Sequence, residues 1–174
     1  MINYTKQTNI QIDALFNSIL ILCRDPVFYT KFDLIDTFQN RIHLIFIHFS
    51  FIFMKIKQNN KNEMFKNFYQ RLFDSIFSKI ELNMREVGFG DTKINNNMRL
   101  LVKKFYNILF NCEKYKKMNI DDKIKFFSNY LELNSIKNMT NNSAIIEYFD
   151  KYETFCFDLS PDSVLKGELK FNYK

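Results

Sequence analysis

A long run without glycine or proline, from Asp36 to Lys57, constrains the fold of this chain more than any other feature. Its middle, Ile42–Met54, is apolar on all sides, a pattern that fits either a buried strand or a buried helix. Length decides between them, because strands are mostly about 5–6 residues long and this run is far longer. We therefore predict a central helix over Asp36–Lys57, buried over most of its circumference. Asp36, followed by Gln39, resembles a capping box at its start.

The apolar part of this run is too short to cross a membrane. Ile42–Met54 falls short of the roughly 20 residues that a spanning helix needs, and it contains His43, His48 and Ser50. The first residues, Met1–Thr8, are polar and carry no arginine, which is not typical of a secretory or transit segment. We expect a soluble protein that can still lie on a membrane surface.

The rest of the chain shows the apolar spacing of helices. With 3 glycines and 2 prolines, it has few turn residues, which argues against a sandwich or barrel of many strands. Pro26 ends the first helix, and Gly88 stands where a helix end favours a left-handed residue. The further helices are predicted over Ile10–Cys23, Asn62–Val87, Ile94–Glu113, Asp121–Leu133 and Ser143–Phe157. The predicted fold class is all-α, a single helical bundle of about six helices.

The chain offers little material for catalysis or metal binding. Its cysteines, Cys23, Cys112 and Cys156, are odd in number and widely spaced, which argues against a disulfide framework or a thiolate zinc site. The spacing of His43 and His48 turns them off a common helix face, so we interpret both as core histidines. We predict that the protein is not an enzyme and that it holds no cofactor and no metal.

A cluster of basic residues suggests a different function. It is interleaved with Tyr106 and Tyr115 and consists of Lys103, Lys104, Lys114, Lys116 and Lys117. Such a cluster can contact phosphates, and the net charge of the chain is +6. The competing interpretation is a solvated helix face without a binding role. The composition leans towards residues that AT-rich codons favour, lysine among them, so this bias alone can account for the number of lysines. No base-reading motif accompanies the lysines, so we expect no sequence-specific binding of nucleic acid.

Two segments of the chain carry recognisable motifs at the start and the end of predicted helices. The first opens the central helix and leads into Leu44 and His48, with its motif residues at Asp36, Thr37 and Arg41. The second is Leu82–Asp91, with its motif residues at Arg85, Glu86, Gly88, Gly90 and Asp91. In the known sequence pattern that this segment resembles, a leucine stands at the position of Met84 and a smaller aliphatic residue at the position of Phe89.

A third segment completes the set. It is Phe105-Tyr106 with Tyr115 downstream, where Asn107 and Ile108 replace a glycine and an arginine. Taken in order, the three segments resemble the ubiquinol–cytochrome c chaperone family over roughly residues 29–115. The Arg-Glu and Gly-x-Gly-Asp element is the most specific part of this resemblance.

The resemblance implies an all-helical, non-enzymatic assembly chaperone of the cytochrome bc complex. Its client would be newly made cytochrome b or another membrane protein, and its further partners a small co-chaperone and the ribosome near the tunnel exit. It implies a place in the bacterial cytoplasm, peripheral at the inner membrane, or in the mitochondrial matrix for a processed chain. We divide the chain into an N-terminal helix (1–28), a helical chaperone domain (29–158, with a connector at 134–142) and a polar C-terminal tail (159–174). Within this tail, we expect Asp162–Lys174 to be loose.

The motif residues also have structural interpretations. Asp36 and Thr37 can cap the central helix, and Asp91 or Thr92 can cap the helix that follows the second motif. Gly88 and Gly90 can permit positive backbone angles. The Arg85-Glu86 pair is either a partner-contacting element or a fastening for the loop, because helix-end chemistry does not require a glutamate there.

Two function classes therefore remain. The leading one is a client-binding chaperone, which predicts an apolar groove beside the Asp36–Lys57 helix. The alternative is a basic helical module that binds RNA, the ribosome or an anionic membrane surface. Salt separates them, because phosphate binding weakens steeply with ionic strength.

Overall fold

The computed structural model describes residues 2–58, 62–134 and 138–173, and over these ranges the regular secondary structure consists of helices and one isolated bridge between Leu34 and Leu133. The helices are α1 (Ile2–Cys23), α2 (Val27–Thr30), α3 (Phe38–Lys57), α4 (Glu63–Glu86), α5 (Asp91–Cys112), α6 (Ile120–Tyr130), α7 (Asn138–Asp158) and α8 (Pro161–Leu165), with a 3₁₀ turn at Tyr115–Lys117. The predicted all-α bundle is confirmed.

Helix α3 is the centre of the bundle, as its apolar run predicts. Every side chain from Ile42 to Phe53 is buried, and the helix packs against α1, α4, α5, α7 and α8. Aromatic rings fill much of this space. Phe46 and Phe53 each meet the ring of Phe105 edge-on, with centroids 5.2 and 5.5 Å apart. The exposed side chains of α3 are consequently found at its two ends.

The start of α3 differs from the predicted capping box. Thr37 is the N-cap, and its Oγ1 accepts a hydrogen bond from the backbone N–H of Asn40 at 3.1 Å. Asp36 lies one residue further out and forms a bidentate ion pair with Arg41, at 2.6 and 2.7 Å. The Gln39 amide lies 3.0 Å from His43 instead of closing a box. The Asp36–Gln39 interpretation is therefore wrong, and the Thr37 cap is confirmed.

A buried amide holds the start of α3 to the chain after α6. The side chain of Asn40 donates to the carbonyls of Ile35 and Glu132, at 2.8 and 2.9 Å, and its oxygen accepts from the N–H of Glu132 at 2.9 Å. Because of these bonds, both the nitrogen and the oxygen of the buried Asn40 side chain have hydrogen-bond partners, as buried polar groups normally do. The amino-terminal end of α3 is thereby fixed in position.

Helices α4 and α5 form an antiparallel pair on one side of α3. Asn62 caps α4 by accepting from the N–H of Met64 at 2.9 Å, and Gly88 has φ +92° just beyond its end, as predicted. Helix α5 begins at Asp91 and not at Ile94. Gly90 occupies its N-cap position without a side-chain bond, so the expectation that Asp91 or Thr92 caps this helix is wrong.

The last two long helices have bounds that differ from the prediction by a few residues. Asn119 caps α6, so this helix begins at Ile120 and ends at Tyr130. Helix α7 begins at Asn138, ahead of the predicted Ser143, and it therefore takes up part of the expected connector at 134–142. Residues 135–137 of that connector lie outside the described part of the chain.

The residues after Ser160-Pro161 pack against the bundle, so the expectation of a loose tail is wrong. Val164 of α8 is buried, and Phe171 and Tyr173 meet the ring of Tyr148 with centroids 5.5 and 5.0 Å apart. Gly167 has φ +73°, and a side chain there would collide with the backbone carbonyl of Gln11 in α1. A close backbone approach thus joins the C-terminal segment to the first helix.

Candidate functional site

The Leu82–Asp91 motif builds a Schellman turn at the end of α4. The N–H of Gly88 donates to the carbonyl of Arg85 at 2.9 Å, and the N–H of Phe89 donates to the carbonyl of Met84 at 3.1 Å. Such turns bring together the side chains at the two ends of the longer bond, here Met84 and Phe89. The glycine of the motif therefore has a definite consequence: it turns Phe89 back towards the last turn of α4.

Arg85 fastens this turn. Its guanidinium pairs with Glu81 on the preceding helical turn at 2.9 Å and with Asp91 at the start of α5 at 2.6 Å. These hydrogen bonds raise the pKa of Arg85. Of the two predicted roles for the Arg85-Glu86 pair, the geometry gives Arg85 the fastening of the loop.

Glu86 has no such structural role. It is exposed, and no ion-pair partner for it lies among the residues that the structure describes. It also stands in the last turn of α4, where a negative charge opposes the helix dipole. This leaves Glu86 as the member of the pair that is available to a partner.

Phe89 lines a groove of about 460 Å³ between the start of α3, the end of α4 and the middle of α5, which we call the Phe89 groove. Its apolar surface comes from Phe38, Met84, Phe89, Leu100 and Leu101, and its polar surface from Gln39, Asn97, Lys103, Lys104 and Asn107. Leu100 is 66% exposed, so the apolar wall is open to solvent. The residues of α5 in this groove recur at helical spacing and form one face of that helix.

A second groove, of about 250 Å³, lies between α1, α3 and α4, and we call it the Arg41 groove. Its lining is mainly apolar, with Phe16, Leu20, Cys23, Phe38, Ile42, Ile45 and Ile80, and it also includes Arg24, Tyr29, Arg41, Lys79 and Asn83. The ion pair of Arg41 with Asp36 lowers the pKa of that carboxyl group and orients the guanidinium.

Phe38 lies between the two grooves and lines both of them. It is the first residue of α3 and is 45% exposed, in contrast to the buried residues from Ile42 onwards. A groove of about 240 Å³ with Phe53 and Ile56 in its lining lies at the carboxy-terminal end of the Asp36–Lys57 helix. The grooves that the motif residues build, which match the predicted apolar groove, lie at its amino-terminal end. Two motif residues build this end of α3: Thr37 caps the helix, and Arg41 forms part of the wall of the Arg41 groove.

His48 is a core residue. Its Nδ1–H donates to the carbonyl of Leu44 at 2.7 Å, so Nε2 accepts a hydrogen bond from the hydroxyl of Tyr148 at 2.9 Å. Burial lowers the pKa of His48 to about 4. The interpretation of His48 and His43 as satisfied core histidines is confirmed, since the Nδ1–H of His43 donates to the carbonyl of Tyr130 at 2.6 Å.

The third motif segment divides between core and surface. Phe105 and Tyr115 are fully buried, and the Tyr115 hydroxyl has no hydrogen-bond partner within the described residues. Tyr106 is half exposed and packs on Phe73, with ring centroids 5.7 Å apart. None of these three side chains lines either groove, and Asn107 is the residue of this segment that reaches the Phe89 groove.

Sequence reasoning missed Phe38 and Leu100 as site residues. One sequence feature could have indicated Phe38. It is an aromatic residue directly after the N-cap Thr37, and a side chain at the first position of a helix has no preceding helical turn to pack against. Nothing in the local pattern distinguishes Leu100 from a core residue. Lys103 and Lys104 were found as members of the basic cluster, and the structure places both in the Phe89 groove.

The described residues also bear on metal binding and on membrane crossing. Over the described ranges, no three histidine, cysteine or acidic side chains lie close enough to hold a metal ion. The three cysteines are free and buried, and burial raises the pKa of each thiol. No helix in the part of the chain that is described has the length and hydropathy to cross a bilayer.

Comparison with known proteins gives two matches. The family described as ubiquinol-cytochrome C chaperone matches residues 30–124, which include all three motif segments from Asp36 to Tyr115. Among solved structures, a crystal structure of the Cbp3 homolog from Brucella abortus is similar in fold, with a TM-score of 0.83 and 16% sequence identity over 98% of this chain and 93% of that one. No curated protein sequence matches the chain.

Proposed function

Because the chain belongs to the ubiquinol-cytochrome C chaperone family, we propose that it is a non-enzymatic assembly chaperone of the cytochrome bc complex that binds newly made cytochrome b. One observation carries the proposal: two motifs within the matched residues meet in one surface. Thr37 and Arg41 fix one side of Phe38, and the Gly88 turn places Phe89 on the other.

This surface fits the task of holding an unassembled membrane protein. Such a client exposes apolar side chains that its partner subunits have not yet covered. Burying apolar surface is favourable by about 25 cal/mol per Å², and two grooves that share Phe38 offer places for two or more such side chains. Because both grooves are open to solvent, the client can leave when its own partners arrive.

Further partners follow from the family resemblance alone. We propose that the protein acts with a small co-chaperone, close to the ribosome, and at the inner face of the membrane that receives the client. Glu86 is an exposed, charged motif residue without an ion-pair partner among the described residues, which supports a role for it in one of these contacts.

The test is affinity purification of the tagged chain followed by mass spectrometry. We expect enrichment of cytochrome b with the wild type and loss of that enrichment with Phe38→Ala. Phe110→Ala is the matched control, because Phe110 is an exposed phenylalanine that lines neither groove. Thermal melts of both variants separate loss of binding from loss of fold. Recovery of RNA without any membrane protein would contradict the proposal.

A further inference from the structure

The charged residues that line the two grooves are all positive. The Phe89 groove contains Lys103 and Lys104, and the Arg41 groove contains Arg24, Arg41 and Lys79. No aspartate or glutamate lines either groove. The chain as a whole carries 19 acidic residues against 25 basic ones, so this separation is much sharper than the overall composition.

Two of these five charges are already neutralised from outside the grooves. Arg41 pairs with Asp36 at 2.6 Å, and Lys79 pairs with Asp13 at 2.9 Å. Arg24, Lys103 and Lys104 have no ion-pair partner among the residues that the structure describes. Three cations without a carboxylate partner among the described residues therefore stand around an apolar surface, one at the Arg41 groove and two at the Phe89 groove. Of these, Lys104 also places its ammonium group 5.5 Å from the centre of the Tyr130 ring.

The shape of the surface favours side chains as its occupants. Phe38 stands as a ridge with a concave groove on each side, and each groove has room for a few side chains. A helix that places apolar residues one turn apart on one face fits two neighbouring grooves of this kind. A bilayer surface would instead call for apolar side chains that project outward from a flat or convex face.

From these observations we propose that the grooves on either side of Phe38 bind a polypeptide segment whose apolar side chains are flanked by carboxylates. The apolar side chains enter the grooves, and the carboxylates pair with Arg24 at one end and with Lys103 and Lys104 at the other. The inference rests on the proposed function only in treating this surface as the partner-binding one. It adds the charge of the partner, which the family assignment does not supply.

The proposal predicts a charge preference that depends on salt. Exposed ion pairs are individually weak, but three of them together are expected to improve affinity by roughly tenfold over a neutral segment. Screening reduces this preference at high ionic strength, where the Debye length is only about 3 Å at 1 M salt. The apolar part of the affinity should persist.

The experiment uses the full chain and three synthetic helical peptides with one apolar face. Their flanking residues are glutamate in the first, glutamine in the second and lysine in the third, and binding is measured by fluorescence anisotropy. We expect the order Glu, Gln, Lys from tightest to weakest. Lys103→Gln combined with Lys104→Gln should remove most of the preference for the Glu peptide, and Phe38→Ala should weaken all three peptides.

A second pair of adjacent lysines gives the matched control. Lys116 and Lys117 belong to the same basic cluster but line neither groove, so changing both to glutamine should leave the order and the affinities unchanged. Equal binding of the Glu and Lys peptides overturns the proposal, as does loss of the preference in the control variant. Binding to phosphatidylglycerol vesicles through Lys103 and Lys104, without binding to the Glu peptide, overturns it in favour of a lipid surface.

The outcomes for this inference and for the proposed function are separable. Cytochrome b captured through Phe38, together with peptides bound without regard to charge, leaves the chaperone function in place and ends the charge proposal. Selective binding of the Glu peptide together with no capture of cytochrome b does the reverse.

Discussion

The Nε2 atom of His48 lies 2.9 Å from the hydroxyl oxygen of Tyr148, which is 100 residues further along the chain. Both side chains are buried, and the bond joins the central helix α3 to α7. Its direction is fixed, because the other ring nitrogen donates to the carbonyl of Leu44. His48, which sequence analysis places in the first motif, thus lies in the core and joins α3 to α7.

Removing this imidazole should destabilise the protein. His48→Leu leaves the Tyr148 hydroxyl buried without a partner, which typically costs about 1–3 kcal/mol. Urea denaturation measures the loss in free energy of unfolding. The double variant His48→Leu/Tyr148→Phe should lose less than the sum of the two single variants, because it removes the unpaired hydroxyl. Strict additivity would show that the bond contributes nothing.

Stability should fall on mild acidification. Burial lowers the pKa of His48 to about 4, whereas the unfolded chain takes up this proton near its ordinary value of 6.5. Between these values the unfolded state binds more protons, so the free energy of unfolding decreases as pH falls from about 6.5 to about 4. The full effect is about 3 kcal/mol. The lowered pKa of His43 acts in the same direction, and the raised pKa of Glu153 opposes it.

Urea titrations at pH 7 and pH 5 measure this dependence. His48→Gln should reduce the difference between the two pH values, although its stability at pH 7 is lower. A wild-type protein that is equally stable at both values would contradict the buried, neutral histidine.

The two glycines of the turn should respond differently to substitution. Gly88 has φ +92° with open space around it, so Gly88→Ala meets no neighbour but places a Cβ in a left-handed conformation, at about 1–2 kcal/mol. Gly90 has φ −72° at the N-cap of α5 and equally open space. Gly90→Ser supplies a cap oxygen and should leave stability unchanged or improve it. Thermal melts compare the two, and equal losses would mean that the backbone angle of Gly88 is not the cause.

Substitutions at Arg85 and Glu86 should change partner binding without a large change in stability. Both ion pairs of Arg85 are exposed, so Arg85→Ala should remain folded with a melting temperature close to that of the wild type. Its capture of cytochrome b should fall, because Phe89 loses the fastening of its turn. Glu86→Gln should not lower the melting temperature, since it removes a charge that opposes the helix dipole. Reduced capture by Glu86→Gln would place Glu86 in the interface, and full capture would remove it.

The sequence predicts those elements whose cause is local. Asn62 and Gly88 bound α4 correctly because a cap and a left-handed glycine act within one helical turn, and the length of Asp36–Lys57 suffices to identify α3. The cap of α3 is not decided by the local sequence, because both Asp36 and Thr37 are good N-cap residues. Arg41 decides the outcome by pairing with Asp36, and no capping rule includes that interaction.

Local sequence patterns do not predict features that depend on packing between residues far apart in the chain. The C-terminal segment has a polar composition, yet Phe171 and Tyr173 pack against the ring of Tyr148 on α7. The exposure of Phe38 likewise depends on where α1 and α4 end beside α3. Periodicity describes one helix at a time, so it locates Lys103 and Lys104 on α5 but does not reveal that Phe38 lies across from them.

The close approach of Gly167 to Gln11 has a consequence for biosynthesis. The site on α1 that receives this backbone is made early, and the segment that covers it is among the later parts of the chain to leave the ribosome. Until then α1 can pack on α3 and α4 but keeps an uncovered side. The packing of α1 against α8 therefore forms only after Pro161–Leu165 has been made, which is later than the packing of α1 on α3 and α4 can begin.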